Sequence, residues 1–232
     1  MGRRDRAALD ALIVFAKAPV PGEVKTRLMP ELSASDSAEL YTAFLMDSLD
    51  QYDRIGPAVR LYVPDPDAFA RQTDSRRALL RQRGGGLGER MRNAFLETFA
   101  AGYDRVVIVG TDHPSLPSSF LEMSFEGLRQ PGAAVLGPAE DGGYYLLGMN
   151  DFCGDAFEAM SYSHPRVMEE TLTRLTRCGR SVTVLPVWYD VDDPPDLVRL
   201  SEDLVGSPGQ APRTLAVLRR LAVTLEWLSK GL

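Results

Sequence analysis

Cysteine is scarce in this sequence: Cys153 and Cys178 are the only two in 232 residues. Two thiols cannot staple a chain of this size, and no Cys-x-x-Cys pair or Cys/His cluster suggests zinc. A reducing, cytoplasmic setting is therefore expected. Long apolar runs are missing too. None approaches the roughly 18 residues that a membrane-spanning helix needs, so no span is expected. The first residues are basic and then apolar, but Asp10 interrupts that run and Lys17 ends it. No cleavage-site pattern follows, so no secretory leader is expected. Basic charge is not in excess either. With 26 Lys and Arg against 32 Asp and Glu, the net charge is -6, which argues against a general nucleic-acid binder. A local basic pocket remains compatible with that total.

What is present suits a globular enzyme. Hydrophobic residues make up 44% of the chain, enough for an ordinary core without disulfides or structural metal. The length fits one domain spanning 1–232, with a core over about 11–205 and a C-terminal helix over about 213–228. The short continuous apolar run at Ala11 to Ala16 suits a strand buried on both faces, Val59 to Val63 reads as a second strand, and Arg105 to Val109 is the clearest strand of all. Further strands are expected at Ala133 to Leu136, Gly143 to Gly148 and Val182 to Val187. Helices are expected from just after Pro30 or from Ser35, a candidate cap, to about Tyr52, and over about Glu89 to Ala101, Ser118 or Ser119 to Arg129, and Pro165 to Cys178, with another after Asp193. Alternating strands and helices predict an α/β fold: a mostly parallel, doubly wound sheet with flanking helices.

In such sheets ligands bind at the carboxyl ends of strands. After the first strand come Lys17, Lys25 and Arg27, on a loop stiffened by Pro19 and Pro21. These cations suit phosphate oxygens, although the Walker spacing is absent. A solvated basic loop is the competing explanation. After Arg105 to Val109 comes Gly110-Thr111-Asp112-His113, where Asp112 could ligate a hard divalent cation or cap a turn. The glycines of Glu140-Asp141-Gly142-Gly143-Tyr144 allow close backbone approach or form a turn. In Asp190-Val191-Asp192-Asp193-Pro194-Pro195-Asp196, a helix cap accounts for Asp193 and Asp196 but not for Asp190 and Asp192. A bare triphosphate gripped by the basic loop would be repelled by Asp112 and Asp192. A divalent cation between them, Mg²⁺ or Mn²⁺, removes that conflict.

The strings LIVFAKAPVPGEVKTRLMPEL, GLGERM, GTDHPSL, GPAEDGGYYLLG and DVDDPPDL, in this order, resemble one family. It is the group known as transferase 1, radical-SAM/selenodomain-associated, within the nucleotide-diphospho-sugar transferase superfamily. The resemblance covers about 11–200 and implies the glycosyltransferase-A fold. It implies nucleotide binding by Ala16, Lys17, Pro21, Gly22, Lys25, Arg27, Gly86, Gly88, Arg90 and Thr111. It also implies acceptor binding by Asp141, Gly142, Gly143 and Tyr144, and metal binding by Asp112 and Asp192. Lys25, Arg27 and Asp112 are the expected catalytic residues.

The expected activity is metal-dependent transfer of a nucleotidyl group from an NTP to a phosphorylated small-molecule acceptor. A glycosyltransferase using an NDP-sugar is the first alternative. A nucleotide-binding module without catalysis is the second. The partners are thus a nucleotide and a small acceptor, with no nucleic acid.

Overall fold

The computed structural model describes residues 8–73, 77–162, 164–223, 225 and 228. The extreme amino terminus, 1–7, and positions 224, 226 and 227 of the expected C-terminal helix lie outside the described residues.

In chain order the strands are β1 (Asp10–Phe15), β2 (Ala58–Val63), β3 (Leu79–Arg81), β4 (Arg105–Val109), β5 (Ala133–Pro138), β6 (Tyr144–Met149) and β7 (Ser181–Val184). The helices are α1 (Ala34–Ile55), α2 (Pro66–Gln72), α3 (Leu87–Ala100), α4 (Ser118–Gly127), α5 (Val167–Arg177), α6 (Pro194–Gly206) and α7 (Pro212–Ala222). The strands form one sheet in the order β3-β2-β1-β4-β6-β5-β7.

The sheet is mostly parallel, as expected. The exception is β6, which runs antiparallel to both β4 and β5. Only a short loop joins β5 to β6, and a short connection returns the chain antiparallel. Helices α1 and α4 cover one face through Leu45, Leu49, Tyr52, Leu121 and Phe125. Helices α3 and α5 cover the other through Met91, Phe95 and Leu175. Burial on both faces is why β1 and β4 read as unbroken apolar runs. A third cluster packs Phe44 of α1 against Leu197, Leu200, Leu215 and Leu218, so α6 and α7 belong to the same body.

Several boundaries differ from expectation for local reasons. Ser33, not Ser35, caps α1 by accepting from the Asp36 N–H. At α4, Pro117 holds the cap position and no side chain caps the helix. β7 stops at Val184, just before Pro186, which has no N–H to give a ladder. The short α2 and three-residue β3 lacked a periodic signal. α2 is fixed by Asp65, which accepts from the Asp67 and Ala68 N–H groups, with Pro66 at the first turn. Among the described residues no helix is long and apolar enough to cross a membrane.

Topology fixes where a ligand can sit. The chain runs outward from β1 through β2 to β3, then returns to β4 on the other side of β1. The crevice beyond the carboxyl ends of β1 and β4 is therefore the switch point where ligands bind.

Candidate active site

The loop that leaves β1 is pinned on both sides of its central lysine. Val24 is buried against Ala38 and Tyr41, and Leu28 is buried beneath α1 and α6. Between these anchors Lys25 adopts left-handed backbone, φ 49°, leading into a single 3-10 turn at Thr26–Leu28. A non-glycine residue in that region is strained and is held there by its surroundings. Tyr41 of α1 ties this loop to the end of β4: its hydroxyl accepts from the Lys17 N–H at 2.9 Å and pairs with Thr111 Oγ1 at 3.1 Å.

Lys25 reaches across to both candidate metal acids. Its ammonium pairs closely with Asp112 and lies 3.5 Å from Asp192 Oδ1. It also donates to the Val191 carbonyl at 2.8 Å, and the Phe44 ring lies 5.6 Å away. Only 4% of the Lys25 side chain is exposed, against 48% for each acid. Partial desolvation by the surrounding protein would raise the Asp112 pKa, but the charge and hydrogen bond of the adjoining Lys25 ammonium outweigh it and hold the group below the usual carboxylate range. Asp112 is therefore anionic at neutral pH. Arg27 Nη1 meets Asp192 Oδ2 at 3.1 Å while remaining 75% exposed.

The acid-rich segment resolves into separate tasks. The Val191 N–H donates to the Asp112 carbonyl at 2.8 Å, which fastens this segment to the end of β4. Asp193 and Asp196 form the reciprocal cap of α6, with Pro194 in the first turn, as the sequence suggested. Asp196 also accepts from the Asp192 N–H, and burial raises its pKa. That leaves Asp190 and Asp192 facing the cleft.

The opposite wall comes from α3 and the β5–β6 loop. Asp141 accepts from the Gly143 N–H at 2.8 Å. Gly142, φ +87°, packs so tightly that a Cβ there would lie 2.0 Å from the Pro165 carbonyl oxygen. Arg199 pairs with Glu140 and stacks 3.8 Å over the Tyr189 ring, linking this loop to α6.

Together these walls enclose a cleft of about 890 Å³. Of the expected residues, Ala16, Lys17, Lys25, Arg27, Arg90, Asp112, Asp141, Gly143, Tyr144 and Asp192 line it. Pro21, Gly22, Gly86, Gly88, Thr111 and Gly142 lie outside its lining. Thr111 is buried against Tyr41, and a Cβ on Gly88 would meet the Tyr162 ring at 2.5 Å. These two positions, and Gly142, shape the walls of the cleft. Glu23, Tyr41, Gln82, Tyr162, His164 and Asp190 also line the cleft and were not expected there. Tyr41 lies among the apolar residues of α1, at the spacing of a core-facing stripe, and so gave no separate signal. Asp190 had a signal, since the helix cap did not account for it. Tyr162 and His164 lie in a loop without a motif.

The donor set suits a hard divalent cation. One carboxylate just past β4 and one from the segment that leads into α6 converge on the same tethered ammonium. Among the described residues no group of three or more His, Cys, Asp or Glu side chains forms a cage. Mg²⁺ needs no such cage, because one or two carboxylates plus substrate phosphates and waters satisfy it.

A family model described as uncharacterized protein conserved in bacteria (DUF2064) matches residues 45–164. A protein of Desulfovibrio desulfuricans G20, assigned as a nucleotide-diphospho-sugar transferase, is 31% identical. It superimposes with a TM-score of 0.88 over 97% of this chain and 99% of its own. CMP:2-keto-3-deoxy-manno-octonic acid synthetase, complexed with CTP, gives 0.55 at 12% identity over 86% of this chain and 99% of that one. 4-Diphosphocytidyl-2C-methyl-D-erythritol synthase gives 0.52 at 15% identity over 83% and 97%. The last two speak for the fold alone. No protein of curated function matches the chain in sequence.

Proposed function

The chain belongs to the bacterial DUF2064 family, and from that premise we propose that it is a metal-dependent nucleotidyltransferase-like enzyme. It transfers a nucleotidyl group from an NTP to a phosphorylated small-molecule acceptor. Within this proposal it belongs to the radical-SAM/selenodomain-associated transferase branch, has the glycosyltransferase-A arrangement and works in the cytoplasm.

One observation carries the reading. At the switch point of the sheet, Lys25 bridges Asp112 and Asp192, with Lys17, Arg27 and Arg90 around the same cleft. Among the described residues Lys17 and Arg90 have no acidic partner within ion-pair distance. A triphosphate would supply the anion these cations face, at about 1.5–3 kcal/mol per charge-assisted contact. The 31% identical relative is assigned as a transferase, which supports the reaction class.

In the proposed reaction an oxygen of the acceptor phosphate attacks the α-phosphorus of the NTP. The bond to the bridging oxygen breaks, and pyrophosphate leaves with the electron pair. Lys25 and Arg27 neutralise charge that builds on the leaving group. No side-chain nucleophile is required. Asp141, Gly143 and Tyr144 form the wall against which the acceptor is held. Asp112 and Asp192 would hold Mg²⁺ or Mn²⁺, which supplies polarisation of the phosphoryl group under attack.

A second reading, sugar transfer from an NDP-sugar, is favoured by the assignment of the 31% identical relative. One screen separates the two. Pyrophosphate release is measured for the four NTPs with phosphorylated acceptors, and NDP release for a panel of NDP-sugars. Pyrophosphate release supports nucleotidyl transfer; NDP release with no pyrophosphate replaces it with the second reading.

A further inference from the structure

The Lys25 ammonium sits where a divalent cation would sit. It contacts Asp112, lies 3.5 Å from Asp192 and donates to the Val191 carbonyl at 2.8 Å. Three constraints hold it there. The backbone is locked in the left-handed region, Val24 and Leu28 anchor the loop on either side, and the Phe44 ring lies 5.6 Å from the ammonium. The two acids, by contrast, are each 48% exposed, opening to the cleft. The site is thus neutralised from the protein side and approached from the cleft side.

We propose that Lys25 is a tethered counter-ion that closes the divalent-cation position until a phosphate draws it away, so that metal and nucleotide bind as a cooperative pair. This rests on the reading of the cleft as a nucleotide-phosphate site. A divalent ion entering the ligand-free protein must displace an ammonium and meets its repulsion at short range. A triphosphate changes the competition. Lys17 and Arg27 line the same cleft and can receive it first. Lys25 has a flexible four-carbon stem and three rotatable donors, so it can turn from the carboxylates to a phosphate oxygen. Once it turns, Asp112 and Asp192 become a bare pair of hard oxygen donors beside a phosphate, the set that Mg²⁺ accepts. By linkage each ligand must then favour the other to the same degree. The left-handed backbone at Lys25 is in keeping with this role, because such strain persists only where the surroundings hold it and gathers at ligand clamps and switches.

The test needs no nucleotide and no turnover. Mn²⁺ alone is titrated into the full-length protein, and the free ion is counted by electron paramagnetic resonance. Wild type is compared with Lys25→Met and Lys25→Gln. The glutamine variant keeps a donor for the Val191 carbonyl and guards against loss of fold in the methionine variant; thermal melting is followed for both. The expected result is Mn²⁺ binding about tenfold or more tighter in either folded variant than in wild type, within the usual span of coupling between sites. Adding Asp192→Asn to either variant should abolish that gain. Equal Mn²⁺ affinity in wild type and variants, or no Mn²⁺ binding in any of them, overturns the proposal. Because nucleotides are absent, these outcomes are independent of the pyrophosphate and NDP screen that judges the transfer reaction.

Discussion

Nδ1 of His113 lies 3.3 Å from Oδ1 of Asp190, so a buried imidazole holds an acid at the edge of the cleft. The His113 side chain is 1% exposed and that of Asp190 31%. The imidazole also packs on Tyr145, with ring centroids 5.9 Å apart. The histidine beside Asp112 therefore serves to position Asp190. His113→Phe keeps a ring against Tyr145 and deletes the bond. Urea unfolding should show a loss of about 1–2 kcal/mol. Calorimetric titration of the preferred nucleotide should show affinity falling several-fold. A variant matching wild type in both measurements removes the positioning role.

Arg27 separates binding from stability. Its side chain is 75% exposed and its pair with Asp192 is a surface pair, so Arg27→Ala should change unfolding free energy by less than about 1 kcal/mol. Losing a charge-assisted phosphate contact should weaken nucleotide binding by about tenfold or more. Thermal melts with and without nucleotide report both quantities.

Two glycines with similar backbone should respond differently to alanine. Gly22 has φ +86° and open space around a would-be Cβ. Gly142 has φ +87° and the Pro165 carbonyl oxygen 2.0 Å away. Gly22→Ala should cost about 1–2 kcal/mol, the left-handed penalty alone. Gly142→Ala should cost about 3 kcal/mol or more, since the backbone at 165 must also move. Denaturant midpoints of the pair test this directly.

Asp47 tests the attachment of α7. Its carboxylate, in a side chain 1% exposed, accepts from the Thr214 N–H at 2.7 Å and the Arg213 N–H at 3.2 Å. It also takes a 3.2 Å bond from Arg213 Nη1. Asp47→Ala leaves those donors without their acceptor and should destabilise the fold by about 3 kcal/mol. Nucleotide affinity, measured well below the melting temperature, should be unchanged.

Acid should unfold the protein through its paired carboxylates. Asp36 is held below its ordinary 3.8 by the Ser33 hydroxyl and then by Arg220. Glu140 is held below its ordinary 4.5 by Arg199. A depressed folded pKa means the unfolded chain binds more protons, so stability is fully present above these ordinary values and is lost as pH falls through the folded ones. The urea midpoint should be level from about pH 8 to pH 6 and fall steeply below about pH 4. Arg220→Ala should flatten that fall by removing the partner of Asp36.

The sequence by itself determined the strands that matter most. The β1 and β4 runs are buried on both faces, so local composition was sufficient to locate them. The cap of α6 was equally local, since Asp193, Pro194 and Asp196 satisfy one another within a single turn. The cations after β1 and the acid after β4 followed from the rule that ligands meet strand ends. The antiparallel return of β6 on β5 had a local signal in the Asp141-Gly142 turn, whereas the short β3 and the wall of Tyr162 and His164 were not legible, because each depends on packing between segments distant in sequence.

The pairing of Lys25 with both Asp112 and Asp192 was decided only by the tertiary structure. Residue types could mark each as an ion site, but not that one ammonium would stand between two carboxylates. That arrangement requires β1 and β4 to lie side by side and the segment at 190–192 to be tied to the Asp112 carbonyl. Charge is written in the sequence, whereas Coulombic partnership depends on distance, and distance is set by the fold.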